Sequence, residues 1–254
     1  MAARVLITGG ASGIGLGLAR RFTAQGDRVA LCDADGDAAV RVAAEMPGAI
    51  VRQADVADAA QMDSFLGQVE QAWGGIDVVC ANAGTGGPAG RIEDLDYDDW
   101  QACLAVNLNG AFLTCRWAAR IMRAQKSGCI IITSSTSGQW GHPYRSPYAA
   151  AKWGLVGLTK TLAMELGEAG VRVNAICPGA VTGDRMDRVV AMEAKASNRP
   201  EQDVRDQYVR GVSMRTWVTV DDLADTVLFL ASPAASKMSG QIIAIDGHTE
   251  TNAP

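Results

Sequence analysis

The chain has 254 residues, 48% apolar and 20% charged, with a formal net charge of −5. That length can bury one sizeable core, and the acidic balance with no basic run argues against a nucleic-acid partner. No apolar run is long enough to cross a membrane, two histidines argue against a protein zinc site, and no metal site is expected.

In chain order, apolar runs of strand length fall at 4–8, 28–32, 49–53, 76–80, 128–133, 171–175 and 241–245. Between them lie helix-period stretches near 14–25, 36–45, 58–73, 98–124, 148–168 and 221–231. The runs are rich in Val and Ile and barely alternate, as expected of parallel strands covered on both faces. Repeated strand–helix–strand order predicts an α/β doubly wound sheet of about seven strands with right-handed crossovers. The rhythm breaks at 179–218, where helical pieces are interrupted at Asn198-Arg-Pro200. An insertion of that length reads as a functional cover rather than a second domain. The first run, Arg4-Val-Leu-Ile-Thr8, reads as a strand and not as a signal peptide. Six scattered cysteines without a Cys-x-x-Cys pair read as buried thiols in a reducing, cytoplasmic compartment.

The first strand runs into Thr8-Gly-Gly-Ala-Ser-Gly-Ile-Gly15, after which a helical pattern begins. Gly9, Gly13 and Gly15 permit a tight turn and let backbone N–H groups approach a pyrophosphate at the helix N-terminus. A glycine-rich turn without a ligand is the bland alternative, but strand and helix flank the motif as phosphate binding requires. Asp33 follows the second strand, where a carboxylate bonds adenosine ribose hydroxyls and repels a 2′-phosphate. No Arg or Lys lies within Gly9–Gly15, so NAD is favoured over NADP. Asp33 also fits a turn or cap in the run Asp33-Ala-Asp-Gly36.

Tyr148 and Lys152 stand four apart, so on a helix they leave the same face about one turn apart. A phenol beside an ammonium is a stronger acid, able to exchange a proton with an alcohol or carbonyl oxygen. Tyr and Lys at this spacing are also common surface neighbours, and the pair gains weight from the nucleotide fingerprint upstream.

With these motifs in place the chain resembles the short-chain dehydrogenase/reductase family in its compact form. The resemblance implies one Rossmann-type dinucleotide-binding domain over 1–254. It implies a cofactor site from Gly9, Ser12, Gly13, Ile14 and Gly15, with Asp55 and Val56 at the adenine. Asn82, Ala83 and Gly84 resemble the motif after the fourth strand. Pro178 and Gly179, with Val181 and Thr182 after them, fall where the nicotinamide is seated. The implied catalytic set is Asn107, Ser135, Tyr148 and Lys152. Tyr148 exchanges the proton, Lys152 lowers its pKa and bonds the nicotinamide ribose, and Ser135 holds the substrate oxygen. Asn107 anchors a water linking Lys152 to solvent. One departure is Gly183, where the family often has a carboxamide-binding Thr; either Thr182 takes that role or it is vacant. Another is Asp246-Gly-His248, whose His248 either caps the sheet end or reaches a neighbouring subunit's pocket, a structural role being the stronger reading. The resemblance also implies a homo-oligomer, dimer or tetramer, through the helices near 98–124 and 148–168 and the last strand with its tail.

The implied activity is interconversion of a secondary alcohol (small alcohol, polyol or sugar) and its ketone with NAD. A nucleotide sensor without turnover is the competing reading, disfavoured by the complete catalytic set. Substrate candidates are Ser137, Gln139, Trp140, His142 and Arg145. Arg145 fits a grip on a carboxylate or sulfonate, but a solvated guanidinium or a pair with an acid of the cover is the stronger reading.

Overall fold

A computed structural model describes residues 2–250. Residues 251–254, part of the tail expected at an oligomer contact, lie outside the described residues. Seven parallel strands form one sheet: β1 (Arg4–Thr8), β2 (Arg28–Asp33), β3 (Ile50–Gln53), β4 (Val78–Ala81), β5 (Gly128–Thr133), β6 (Val171–Pro178) and β7 (Ile242–Ile245). Their spatial order is β3-β2-β1-β4-β5-β6-β7, so the winding reverses between β1 and β4. A doubly wound sheet opens a crevice at that point, beyond the carboxyl ends of the strands.

The strands barely alternate because both faces are covered. Leu6, Val79, Ile130, Ile132 and Val173 pack beneath α3 (Ala59–Trp73), α5 (Gly110–Gln125) and α6 (Ser146–Leu166). Their neighbours Val5, Ile7, Val78, Ile131 and Ile176 face the other way. They meet α1 (Gly13–Ala24), α2 (Gly36–Glu45) and α9 (Val220–Ala231). Each strand thus contributes apolar area to two cores at once.

Several boundaries differ from the sequence reading, and the sixth strand runs on to Pro178 rather than ending at 175. The fourth strand begins at Val78 rather than residue 76. The amide of Ile76 donates to Gln125 Oε1 at 2.9 Å and its carbonyl accepts from Gln125 Nε2 at 2.7 Å, a clamp that replaces ladder bonds. The helix expected over 98–124 is α4 (Tyr97–Leu104), a π turn (Ala105–Asn109) and α5 in unbroken succession. Gly110 N–H reaches back to Ala105 O across the π turn. A side chain on Gly110 would strike Val56, its Cβ standing 2.7 Å from Val56 Cβ.

The 179–218 segment forms α7 (Asp184–Ser197) and α8 (Glu201–Arg210), separated at Asn198, whose φ of +53° ends the first helix. Val190, Ala194 and Val204, joined by Met186 and Tyr208, give this cover a small core of its own. Its two ends are stitched together: Val218 N–H donates to Ala180 O at 2.9 Å and Thr182 N–H to Val218 O at 3.0 Å.

Candidate active site

A cavity of about 960 Å³ lies along the carboxyl ends of the strands, under the cover. One end is made mostly of main chain. Gly9 and Gly13 adopt φ of +62° and +49°, which an L side chain rarely tolerates. A Cβ on Gly15 would stand 2.0 Å from Gly9 O, so the turn closes only because both are glycines. Ser12, at the start of α1, makes no side-chain capping bond, leaving the first-turn amides around Gly13 and Ile14 open to an anion. Asp33 takes the turn role foreseen for it. Its carboxylate accepts from Ala11 N at 3.0 Å and Asp35 N at 3.1 Å, and it also lines the cavity. Asp55 and Val56 line the same end, with Arg41 of α2, which the sequence reading missed.

Asn82 ties three strands together at the reversal point. Its Nδ2 donates to Thr8 O at 3.1 Å and Gly9 O at 3.2 Å, and its Oδ1 accepts from Thr133 Oγ1 at 3.2 Å. Ala83 continues the wall and packs on Gly9, where a Cβ would lie 2.8 Å from Ala83 Cα. The cradle fits a dinucleotide: glycines where a backbone must approach, open helix amides for a pyrophosphate, and carboxylates at the far end for ribose hydroxyls.

The other end is made of side chains. Ser135 lies two residues past the end of β5 and caps the 3-10 turn that follows, its Oγ accepting from Ser137 N at 3.1 Å. Pro147 sits in the first turn of α6, where its missing N–H costs nothing. One turn apart on that helix, Tyr148 and Lys152 both face the cavity. Lys152 is buried, its ammonium donating to Thr133 O at 2.8 Å and lying 5.5 Å from the Tyr148 ring centroid. Burial pushes the Tyr148 phenol up. The charges of Lys152, Arg185 and Arg145 and a hydrogen bond with Ser135 outweigh it and hold the phenol below its ordinary value. Burial holds the Lys152 ammonium below its ordinary value, opposed by Tyr148.

Asn107 sits in the π turn, fully buried, its Nδ2 donating to Cys103 O at 3.0 Å and Thr85 O at 3.1 Å. Its Oδ1 is buried without a partner among the described residues. A Cβ on Gly84 would stand 2.7 Å from that oxygen and 3.4 Å from Lys152 Nζ, so both polar atoms converge on this glycine. Pro178, Gly179, Val181 and Thr182 line the wall between β6 and the cover. Gly183 has φ of +130°, a backbone that disfavours threonine there, and Thr182 lies on the cavity wall instead.

The substrate candidates divide. Ser137 lines the cavity, its Oγ 2.7 Å from His142 Nδ1. Gln139 and Trp140 do not line it; the 3-10 turn Thr136–Gly138 carries the chain outward, leaving Trp140 45% exposed. Arg145 is on the wall and paired with an acid of the cover, the stronger of the two readings given for it. Its Nη1 pairs with Glu193 Oε1 at 2.7 Å and its Nη2 donates to Gly86 O at 2.8 Å. The guanidinium also lies 4.8 Å from the Tyr148 ring centroid. Glu193 of α7 and Tyr208 of α8 were not singled out as site residues; their only signal was the expectation that a cover acid meets Arg145. His248 is exposed, and its backbone N–H is held by Asp246 Oδ1 at 2.9 Å.

Residues 9–248 match the family model described as enoyl-(acyl carrier protein) reductase. The D-beta-hydroxybutyrate dehydrogenase of Cupriavidus necator is 36% identical, with 95% of each chain covered. An NAD+-bound xylitol dehydrogenase structure superposes with a TM-score of 0.91 at 30% identity, covering 96% of this chain and 98% of that one. An actinorhodin polyketide ketoreductase solved with NADPH gives 0.91 at 28% identity, over 97% and 96%. The chain belongs to the short-chain dehydrogenase/reductase family. It is an oxidoreductase of the alcohol–carbonyl type, and a nicotinamide dinucleotide is its cofactor.

Proposed function

We propose that this enzyme interconverts a small secondary alcohol or polyol and its ketone with NAD(H), using Tyr148 as the acid/base. The observation that carries the reading is a half-buried phenol on the cavity wall, held below its ordinary pKa beside Lys152 and bonded to Ser135. When bound, the nicotinamide supplies or takes up the hydride. Tyr148 accepts the hydroxyl proton in oxidation and returns it in reduction. Ser135 holds the substrate oxygen by a hydrogen bond, so no metal is required. Lys152 keeps the tyrosinate stable and reaches the nicotinamide ribose. Asn107, through its orphaned Oδ1, anchors the water that joins Lys152 to solvent. Thr182 holds the carboxamide in place of the residue at Gly183.

NAD rather than NADP is supported by Asp33 and Asp35, two carboxylates against the single Arg41 at the adenosine end. Half-exposed Phe112 on α5 and Trp153 on α6 support a homo-oligomer through those helices. All six cysteines are free and buried, which supports a reducing, cytoplasmic setting. Initial rates with secondary alcohols, polyols and sugars, measured with NAD and NADP in parallel, test the reading. The expected result is turnover with NAD preferred; faster rates with NADP would remove the cofactor assignment, and dinucleotide binding without turnover would leave a sensor.

A further inference from the structure

The inner end of the cavity holds a polar cluster of which the reaction described above uses only the charge of Arg145. Arg145 is 3% exposed and Glu193 9% exposed, and their ion pair joins the start of the catalytic helix to the cover. Tyr208 donates its hydroxyl to the same carboxylate, 2.8 Å from each oxygen, and His142 Nε2 lies 3.4 Å from Oε1. All four side chains line the cavity, together with Ser137. Among the described residues Arg145 is therefore the one buried guanidinium on the substrate wall, and the cover supplies its counter-ion.

We propose that Glu193 is a specificity-determining residue: by occupying Arg145, it shuts anionic substrates out of the chamber and reserves it for neutral hydroxyl compounds. This rests on the alcohol–carbonyl reading and names the substrate class of that site. Chemistry gives the direction. An ionised carboxylate is acceptor-only, so a neutral substrate's hydroxyl can donate to Glu193, whereas a substrate carboxylate presents lone pairs to lone pairs. Two like charges beside a largely buried carboxylate repel more strongly than in bulk water. Glu193 stays ionised there. Burial pushes it up, but its contacts with His142 and Arg145 overcome that and hold it below the usual carboxylate range. Tyr208 stays a donor, because burial and Glu193 push its phenol well above the ordinary value. Removing the charge of Glu193 leaves the Arg145 guanidinium without a counter-ion: Nη2 stays on Gly86 O and Nη1 keeps at most a neutral acceptor, so a ligand carboxylate can supply the charged partner. Arg185 and Arg188 also line the cavity, on α7, and remain unchanged in every arm of the test.

The probes are butyrate and its isosteric neutral amide, butyramide, titrated calorimetrically into the NAD-loaded enzyme. Wild type should bind butyrate no better than butyramide. Glu193→Gln should bind butyrate at least about tenfold tighter than wild type does, the factor expected of one charge-assisted hydrogen bond, with butyramide little changed. The double variant Arg145→Met, Glu193→Met should lose that gain while keeping butyramide affinity. Glu193→Ala serves as the second variant should Glu193→Gln not fold. A folded Glu193 variant without the butyrate gain overturns the proposal, as does a wild type that already prefers butyrate tenfold, or a double variant that keeps the gain. The titration needs no turnover. Absence of alcohol oxidation by wild type in a parallel assay would therefore sink the catalytic reading separately, and normal oxidation with no butyrate gain would sink only this one.

Discussion

The two ends of the cavity are built from different materials. The dinucleotide end is largely main chain held in shape by glycines and by Asn82, with open amides around Gly13 and Ile14 and carboxylates beyond them. The substrate end is a meeting of side chains from β5, α6, α7 and α8, held by one buried ion pair and a shared carboxylate. A main-chain site is rigid and tolerates little change, because a single Cβ at Gly15 overlaps Gly9 O. A side-chain site can be re-specified by one substitution, because no strand or helix has to move.

That contrast can be broken at three places. The largest effect belongs to the proton. Tyr148→Phe should lower kcat by about a thousandfold, within the usual range for loss of an acid/base, while leaving NADH affinity unchanged in a fluorescence titration. The wild-type rate of alcohol oxidation should rise with pH through an inflection below the ordinary phenol value of about 10, since the deprotonated form accepts the proton. Lys152→Met should move that inflection upward, because burial is then less opposed.

Next is the ion pair. Arg145→Met leaves Glu193 buried without its cation and should cost about 3 kcal/mol in denaturant unfolding, with most of the loss recovered in the double Met variant. The sign of the pH dependence follows from a folded pKa for Glu193 below its unfolded one. The pair's contribution is complete above the unfolded value of about 4.3 and is lost as pH falls through the lower folded value. A wild type and Arg145→Met that differ equally at pH 7 and pH 3 would show that the pair is not what holds the cover.

The smallest effect concerns the nucleotide. Asp33→Ala should reduce the ratio of NAD to NADP efficiency by about tenfold, the worth of a charged hydrogen bond. An unchanged ratio would leave Asp33 as the clamp on the amides of Ala11 and Asp35 and nothing more.

The sequence was most readable where chemistry is local. Strand runs, the glycine turn and the Tyr148–Lys152 spacing depend on neighbours within a few residues, and each appears where periodicity or motif put it. The π turn was less legible, because a continuous helical pattern does not reveal that Gly110 is pressed against Val56. Trp140 misled for a similar reason: closeness to Ser135 in sequence says nothing of the short 3-10 turn that carries it outward. The partnership of Glu193, Arg145 and Tyr208 spans 48 and 15 residues, and no local signal marks which acid among those of the cover turns inward.

The stitching of the cover's base, where Val218 meets Ala180 and Thr182, has a consequence for descent as well as for design. An excursion that leaves and returns through a single doorway can be exchanged, lengthened or rewritten while the sheet beneath keeps its register, since loop length costs little once the ends are joined. Such a chassis lets new chemistries of recognition be tried one cassette at a time, with the redox machinery carried along unaltered.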